Sequence, residues 1–517
     1  METMSAERET RLRLFVTGAL AALVMAAFML LLRSMTETES LIELFGEGIV
    51  QTMPISLFEF GLRTFGGAAK PLLVIMIVLG MILVGGGIAQ MHTAAASALP
   101  FGQRWFRMAS LAVGLWMPLA VIALIITAIG STEPLSNRVL VGLASTILLD
   151  VVVFVVGLHL LFPVVRQIIV HPGGQKTPAD DIPPDASRRR FISSAIVASL
   201  AFVSAGYVGR FANGIRGGAI GGRRDTLSEP ITPNDAFYVI SKNFVDPSID
   251  ESDWELEIDG LVDLPMRLSY VDLLARPFRE QLTTLTCISN EIGGDLISNA
   301  RWTGVRLADL LLEVGVQPGV VDLALYASDG YTESITLENA LEPTTMLVYL
   351  MNDEPLPEKH GYPARLIVPG KYGIKNVKWL TRIELVAGDF TGYWQQRDWT
   401  DEATIQTMSR FDIPAARAIL PAGPVDLGGI AFAGDRGIEN VELSDDGGET
   451  WAPVETLDHV APLSWTIWRS TWNPSAAGAY SFRVRAIDGE GDVQTSDERA
   501  PIPDGATGHH SIDLGIT

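Results

Sequence analysis

The stretch Leu282–Asp295, LTTLTCISNEIGGD, carries Cys287, the only cysteine among 517 residues. A thiolate is a nucleophile and a soft metal ligand, and it forms where positive charge or a metal stabilises it. With no second cysteine, a zinc site of several thiolates and a C-x-x-C-H haem attachment are both excluded. A cysteine in a strand-like apolar run also serves simply as a small core residue. A Cys–His pair would need an imidazole, and the second half of the chain offers His360, His459, His509 and His510. Of these, His360 lies in the patterned segment Glu358–Leu380, EKHGYPARLIVPGKYGIKNVKWL, with Arg365, Lys371, Lys375 and Lys378 spread over a strand-like run and glycine turns. Such a cluster suits phosphate or another anion. A thiolate together with an anion site points to a metal cofactor that bears phosphate.

From about Pro233 to Thr517 the chain resembles the sulfite-oxidase family of molybdenum-cofactor enzymes, and several separated motifs carry the likeness. TLTCISN is similar to the strand-end segment whose cysteine ligates molybdenum. WTGVRLADLL (Trp302–Leu311) is similar to the segment that follows it, and MNDEPLPEKHGYPARLIVPG with GIKNVKWL resembles the pterin-clasping stretch. The resemblance implies that Cys287 supplies the protein thiolate to molybdenum, and that Asn290, His360, Arg365, Lys375, Asn376 and Lys378 surround the pterin and its phosphate. AFYVISKN (Ala236–Asn243) is similar to the family's opening motif, which makes Tyr238, Lys242 and Asn243 cofactor neighbours. Asp329, in YASDGYTESI, matches a loop that also lines the cofactor. One protein thiolate suffices, because the dithiolene sulfurs of molybdopterin supply the other soft ligands.

Two departures bear on the substrate. Typical members follow the cysteine with a Gly-Asn-Arg pattern whose arginine helps to bind an anionic substrate, whereas this chain has Ser289-Asn290-Glu291. A carboxylate in place of that guanidinium repels sulfite. In YWQQRDWTDEA the family's Trp-Gln-x-Arg-Asp-Tyr pattern ends in Trp399 instead of a tyrosine near molybdenum. An indole donates only through its ring N–H and cannot relay a proton as a phenol does. Arg397 keeps a positive charge there. The resemblance thus implies catalytic roles for Cys287, Arg397 and Trp399 in oxygen-atom transfer on a small substrate: sulfite, a neutral sulfoxide or N-oxide, or an aldehyde-like compound. Glu291 and Trp399 also leave open a non-catalytic, membrane-tethered binding protein that retains the fold.

These residues need a scaffold. From Phe237, short alternating runs mixed with short helical pieces predict an α+β domain over 229–408. From about Phe411, short strands separated by Asp-Gly and Gly-Gly turns predict a β-sandwich over 409–517. Its DGGETW segment and Trp465, Trp468 and Trp472 are similar to the family's C-terminal immunoglobulin-like domain, which implies a homodimer. A glycine-rich tether spans 211–228 and includes RGGAIGGRR.

The first 210 residues read differently. Leu14–Leu32, Leu72–Ala89, Met108–Ile129, Val139–Val165 and the shorter Ile192–Val208 predict about five transmembrane helices. Leu41–Phe60 reads as an interfacial amphipathic piece or an ordinary loop. Basic residues before the first, between the second and third, and between the fourth and fifth segments set those loops in the cytoplasm. Ser187–Ile192, SRRRFI, resembles the twin-arginine export motif and also serves as an ordinary topological charge. Both readings anchor the chain in the cell membrane, in contact with lipid, with the later domains on the extracytoplasmic side. A net charge of −22 excludes a nucleic-acid partner. Electrons must be exchanged with an unidentified donor or acceptor. His92 and His159 lie near helix ends, where a structural role is favoured over a b-type haem, and Asp150 in the fourth segment is a proton or quinone site or a hydrogen-bonding group of the bundle.

Overall fold

The computed structural model describes residues 2–36, 40–54, 69–96 and 144–158, with isolated residues between them, and 226–517 apart from 244–245 and 458–460. The chain divides into two compact units, Met1–Ala219 and Ile220–Thr517.

The first unit is helical, with α1 (Glu2–Thr36), α2 (Leu41–Thr52) and α3 (Ala69–Ala96), followed by a shorter apolar helix, α4 (Ala144–Leu158). Within α1 and α3, Arg11–Met29 and Leu72–Gln90 are long and apolar enough to cross a membrane. These two helices meet through small residues. A Cβ on Gly18 would collide with the Gly85 carbonyl oxygen, and one on Gly85 would lie 2.6 Å from the Ala22 Cβ; bare backbone at both positions lets the helices approach closely. At the start of α2, the Ser40 hydroxyl accepts from the Glu43 N–H at 3.3 Å, while the Ser40 N–H donates to the Glu43 carboxylate at 2.6 Å. This reciprocal cap fixes the helix start. Leu41, Ile42 and Leu44 are buried against Ala26, Met29 and Ile147, so the apolar face expected at an interface is instead packed within the unit.

Against five expected crossings, the described residues carry two of sufficient length. Of the fourth, Val139–Val165, the described residues show the apolar helix α4 (Ala144–Leu158), and most of the rest of that segment lies outside them. The third lies in large part outside the described residues, and the fifth, the SRRRFI motif and His159 lie fully outside them. Asp150, in α4, is buried, and neither of its carboxylate oxygens has a hydrogen-bond partner among the described residues.

The second unit contains two sheets and a sandwich. Strands β1 (Glu255–Gly260), β2 (Met266–Ser269), β5 (Asp322–Ala327), β6 (Thr332–Thr336) and β10 (Leu380–Val386) form one sheet in the order β2-β1-β10-β5-β6. Strands β3 (Arg279–Thr286), β4 (Ile297–Arg306), β7 (Met346–Met351) and β8 (Glu354–Pro355) form the other, with β9 (Arg365–Ile367) paired to β7. The short helix Leu307–Val314 shows why the core closes where it does. Leu307, Leu310, Leu311 and Val314 recur at helical spacing and are all buried, while Gly315 at φ +70° ends the helix. Each such aliphatic side chain contributes roughly 1.5–3 kcal/mol by leaving water. Together with Leu256, Leu323, Leu366 and Ile383 they form one continuous core.

After Met408 the chain forms a four-stranded and a five-stranded sheet. Their inner faces meet around Phe411, Leu427, Trp468, Phe482, Val484 and Leu514.

Candidate functional site

Cys287 follows the last residue of β3, in the connection to β4. The ladder closes at Thr286 opposite Ile297, and the Cys287 N–H donates to the Leu296 carbonyl at 2.9 Å. The turn is held from inside: the Asn290 Oδ1 accepts from the Leu296 N–H at 2.9 Å, and the Ser289 N–H points at the Cys287 sulfur, 3.4 Å away. Burial pushes the Cys287 thiol up from its ordinary value, and the Ser289 N–H pulls it back only in part. A thiolate in this place therefore calls for a strong positive partner, which a metal supplies.

The sulfur-bearing residue lies in the wall of a cavity with about 760 Å³ of empty space counting its open mouth. Tyr238, Lys242, Asp329, His360, Arg365, Asn376 and Lys378 share that wall, as the motif reading expects. Their roles differ. The buried Arg365 guanidinium donates from Nη1 to the His360 carbonyl at 3.1 Å and from Nη2 to the Asn376 carbonyl at 2.9 Å, which leaves its buried Nε–H without a partner among the described residues. An unspent cationic donor facing a cavity suits an anionic or carbonyl-bearing ligand. Asn376 instead clamps its own loop, accepting from Val368 N–H at 2.8 Å and donating to the Lys371 and Tyr372 carbonyls. His360 lies 3.1 Å from the Asn234 carbonyl through Nε2. Burial first, and the Arg365 charge second, lower its pKa to about 3, so its ring is neutral at ordinary pH.

At the rim, the Lys242 ammonium donates to Asn243 Oδ1 and to the Asp329 carbonyl, both at 2.8 Å, while Asn243 donates to the Asp329 carboxylate at 2.7 Å. Asn243 thus acts by tying the lysine to the 329 loop and does not itself line the cavity. Tyr238 stacks on Phe237 with ring centroids 5.4 Å apart. Gly373 lies close beside it, and a Cβ there would come within 3.0 Å of the Tyr238 hydroxyl.

Four expected site residues stand elsewhere. Lys375 is buried away from the cavity wall, paired with Glu333 at 2.9 Å and Asp401 at 3.0 Å; the tertiary ion pair captures an ammonium that the local pattern assigned to an anion. Asn290 braces the 287–296 turn and lines a second cavity. Arg397 lies over the Tyr393 ring at 3.8 Å and donates to the Tyr393 carbonyl. Trp399 is buried and stacks on Trp394 at 4.2 Å, and it is Trp394 that lines the cofactor cavity. Sequence reasoning passed over Trp394, Tyr331, Phe237 and Lys359, which share the first cavity. It also passed over Tyr372, whose only local signal was its place between Lys371 and Gly373 in the glycine-turn segment.

The donor set fits a phosphorylated pterin that carries molybdenum: one thiol, one buried guanidinium with a free N–H, a neutral imidazole and lysines at the mouth. A family model described as "Oxidoreductase molybdopterin binding domain" matches residues 243–394. Mitochondrial sulfite oxidase of Drosophila melanogaster is 32% identical over 316 residues, covering 51% of this chain and 55% of that protein. Sulfite oxidase of Gallus gallus is 30% identical over 322 residues, covering 53% of this chain and 69% of that protein. The uncharacterized oxidoreductase YuiH of Bacillus subtilis is 32% identical over 181 residues, covering 34% of this chain and 89% of that protein. The alignment thus spans about half the length of the fly enzyme, and the family model covers Cys287, His360, Arg365 and Lys378. The chain belongs to the sulfite oxidase family of molybdopterin-dependent oxidoreductases.

Proposed function

We propose that the protein is a membrane-anchored molybdenum-cofactor oxidoreductase that moves an oxygen atom to or from a small substrate outside the cytoplasm. The observation that carries this reading is the position of Cys287, whose buried thiol forms part of the same cavity wall as the unspent Arg365 N–H. When bound, the cofactor supplies oxygen-atom transfer coupled to a two-electron change. The chain's own residues bind and orient it. Cys287 is the metal ligand, Arg365 and Lys378 hold the anionic end, His360 offers a neutral ring, and Tyr238 closes the wall beside the thiol. Sulfite, a sulfoxide or an N-oxide all suit that chemistry. Electrons pass to or from an unidentified one-electron partner.

Anchoring is supported by the two long apolar helices, and an extracytoplasmic catalytic unit by the basic residues of Arg8–Arg13 and the SRRRFI motif. The C-terminal sandwich, read as immunoglobulin-like, is the candidate surface for a homodimer.

The test is Cys287→Ser in the full chain, purified from cells that make the cofactor. The reading expects loss of dye-linked turnover with an unchanged thermal transition. Full activity in the variant would contradict it.

A further inference from the structure

The chemistry proposed above turns an oxygen atom into water or takes one from water, so a pair of protons must pass between the cofactor cavity and solvent for each pair of electrons. Lys242, Lys359, Arg365 and Lys378 make the cavity wall cationic, and their field opposes the entry of a proton through the mouth. The indole of Trp399 offers no other way. Its ring N–H cannot accept a proton and pass it on, and it has no hydrogen-bond partner among the described residues. A line of polar groups that begins at Tyr331 does offer one.

Tyr331 and Ile374 both belong to the cavity wall, and the Tyr331 hydroxyl lies 3.0 Å from the Ile374 carbonyl. The same hydroxyl lies 2.9 Å from Glu333 Oε2, and its oxygen accepts from no group among the described residues. Glu333 is shut away from water. Its Oε1 accepts from the Lys375 ammonium at 2.9 Å, and that ammonium donates in turn to Asp401 Oδ1 at 3.0 Å. The Asp401 side chain is 51% exposed, so the hydrogen bonds run unbroken from the cavity wall to bulk water. Gln395 steadies the carboxylate at the centre, donating to Oε2 at 3.3 Å. The other charged groups within electrostatic reach stand outside the line: Asp329 accepts from the Tyr331 N–H, Asp322 from the Phe390 N–H, and Lys371 donates to Thr404 Oγ1. Burial raises the Glu333 carboxyl above its ordinary value, and the Lys375 charge offsets part of the rise. Glu333 therefore holds a passing proton better than an exposed glutamate does.

We propose, resting on the oxidoreductase reading above, that Tyr331, Glu333, Lys375 and Asp401 form a proton relay between the cofactor cavity and solvent. On the inward route Asp401 takes a proton from water. Lys375 passes one of its own protons to Glu333 and is refilled from Asp401. The Tyr331 O–H turns toward the cavity and gives up its proton there, while Glu333 replaces that proton on the phenol oxygen. One proton has entered, one has been delivered, and every group is back in its starting state. The outward route is the reverse, and no electron moves along the line in either direction.

The experiment uses the full chain loaded with molybdenum in detergent and photoreduced in weak buffer. A pH-sensitive dye follows proton uptake, and absorbance follows reduction of the metal in parallel. Asp401→Asn, at the exposed end, should slow proton uptake by at least about tenfold. The roughly 10²–10⁴-fold that a positioned proton-transfer group contributes to a rate is not all lost there, because water reaches that end. Molybdenum content and the thermal midpoint of this variant should match the wild type, and Asp401→Glu should restore the rate. Glu333→Gln and Tyr331→Phe, which keep the size of each side chain, should slow uptake further at equal metal content. Proton uptake at the wild-type rate in Asp401→Asn and Glu333→Gln overturns the relay, and so does a loaded wild type that takes up no proton on reduction. Wild-type protein without molybdenum would instead overturn the oxidoreductase reading itself, and the relay with it.

Discussion

The Lys375 ammonium lies 2.9 Å from the Glu333 carboxylate, with both side chains shut away from water. The Tyr331 hydroxyl, with a single proton to donate, lies 2.9 Å from the other oxygen of the same carboxylate and 3.0 Å from the Ile374 carbonyl. The cluster thereby ties β6 to the loop that carries Gly373 and Asn376, one wall of the cofactor cavity. Burial pushes the Glu333 carboxyl up, and the lysine pulls it back.

Removing Glu333 leaves the buried Lys375 ammonium with the half-exposed Asp401 as its one remaining ion-pair partner among the described residues. Glu333→Leu should destabilise the unit by about 1–3 kcal/mol, whereas the double variant with Lys375→Met should recover much of that loss. Chemical denaturation of both proteins checks this. A single variant as stable as the wild type would show that the pair is solvated.

Arg365 holds two carbonyls and keeps a third donor free. A lysine presents a compact point charge on a flexible stem and cannot reproduce that fork. Arg365→Lys should therefore lower molybdenum content several-fold in purified protein while far-ultraviolet circular dichroism stays unchanged. Unaltered metal content would remove Arg365 from the binding set.

His360 gives a pH dependence with a definite sign. Its folded pKa of about 3 lies below the ordinary histidine value of about 6.5, so between those values the unfolded chain binds more protons. Stability from this group is fully present above about pH 6.5 and is lost as pH falls toward the folded value. Thermal midpoints from pH 7 to 4 should fall less in His360→Gln than in the wild type. Equal slopes would mean that the imidazole is not held neutral.

Topology makes a further prediction. A periplasmic-type phosphatase fused after Thr517 should be active in cells, and a fluorescent protein that matures only in the cytoplasm should stay dark there. The reverse pattern would place the catalytic unit inside.

Much of the cofactor cavity was legible in the sequence, because Cys287, His360, Arg365 and Lys378 sit in contiguous motifs whose backbone shape is set locally by strand ends and glycine turns. Lys375 was misread for the opposite reason. Its partner Glu333 lies 42 residues away, on a strand whose neighbour is decided only when the sheet assembles, and an alternating run such as YTESIT shows no sign that its glutamate points inward. Trp394 was passed over beside Trp399 because a stacked pair in a short turn has no periodicity to show which ring faces the cavity. In the helical unit, hydropathy located α1 and α3 well, since length and apolarity are themselves the physical requirement.

The most direct test of the central claim is elemental analysis of the full-length protein purified from cells with intact cofactor synthesis, combined with electron paramagnetic resonance during stepwise reduction. The account predicts stoichiometric molybdenum and a Mo(V) signal whose parameters shift in Cys287→Ser as the protein thiolate is lost. Wild-type protein that contains no molybdenum, or a signal indifferent to residue 287, would contradict it.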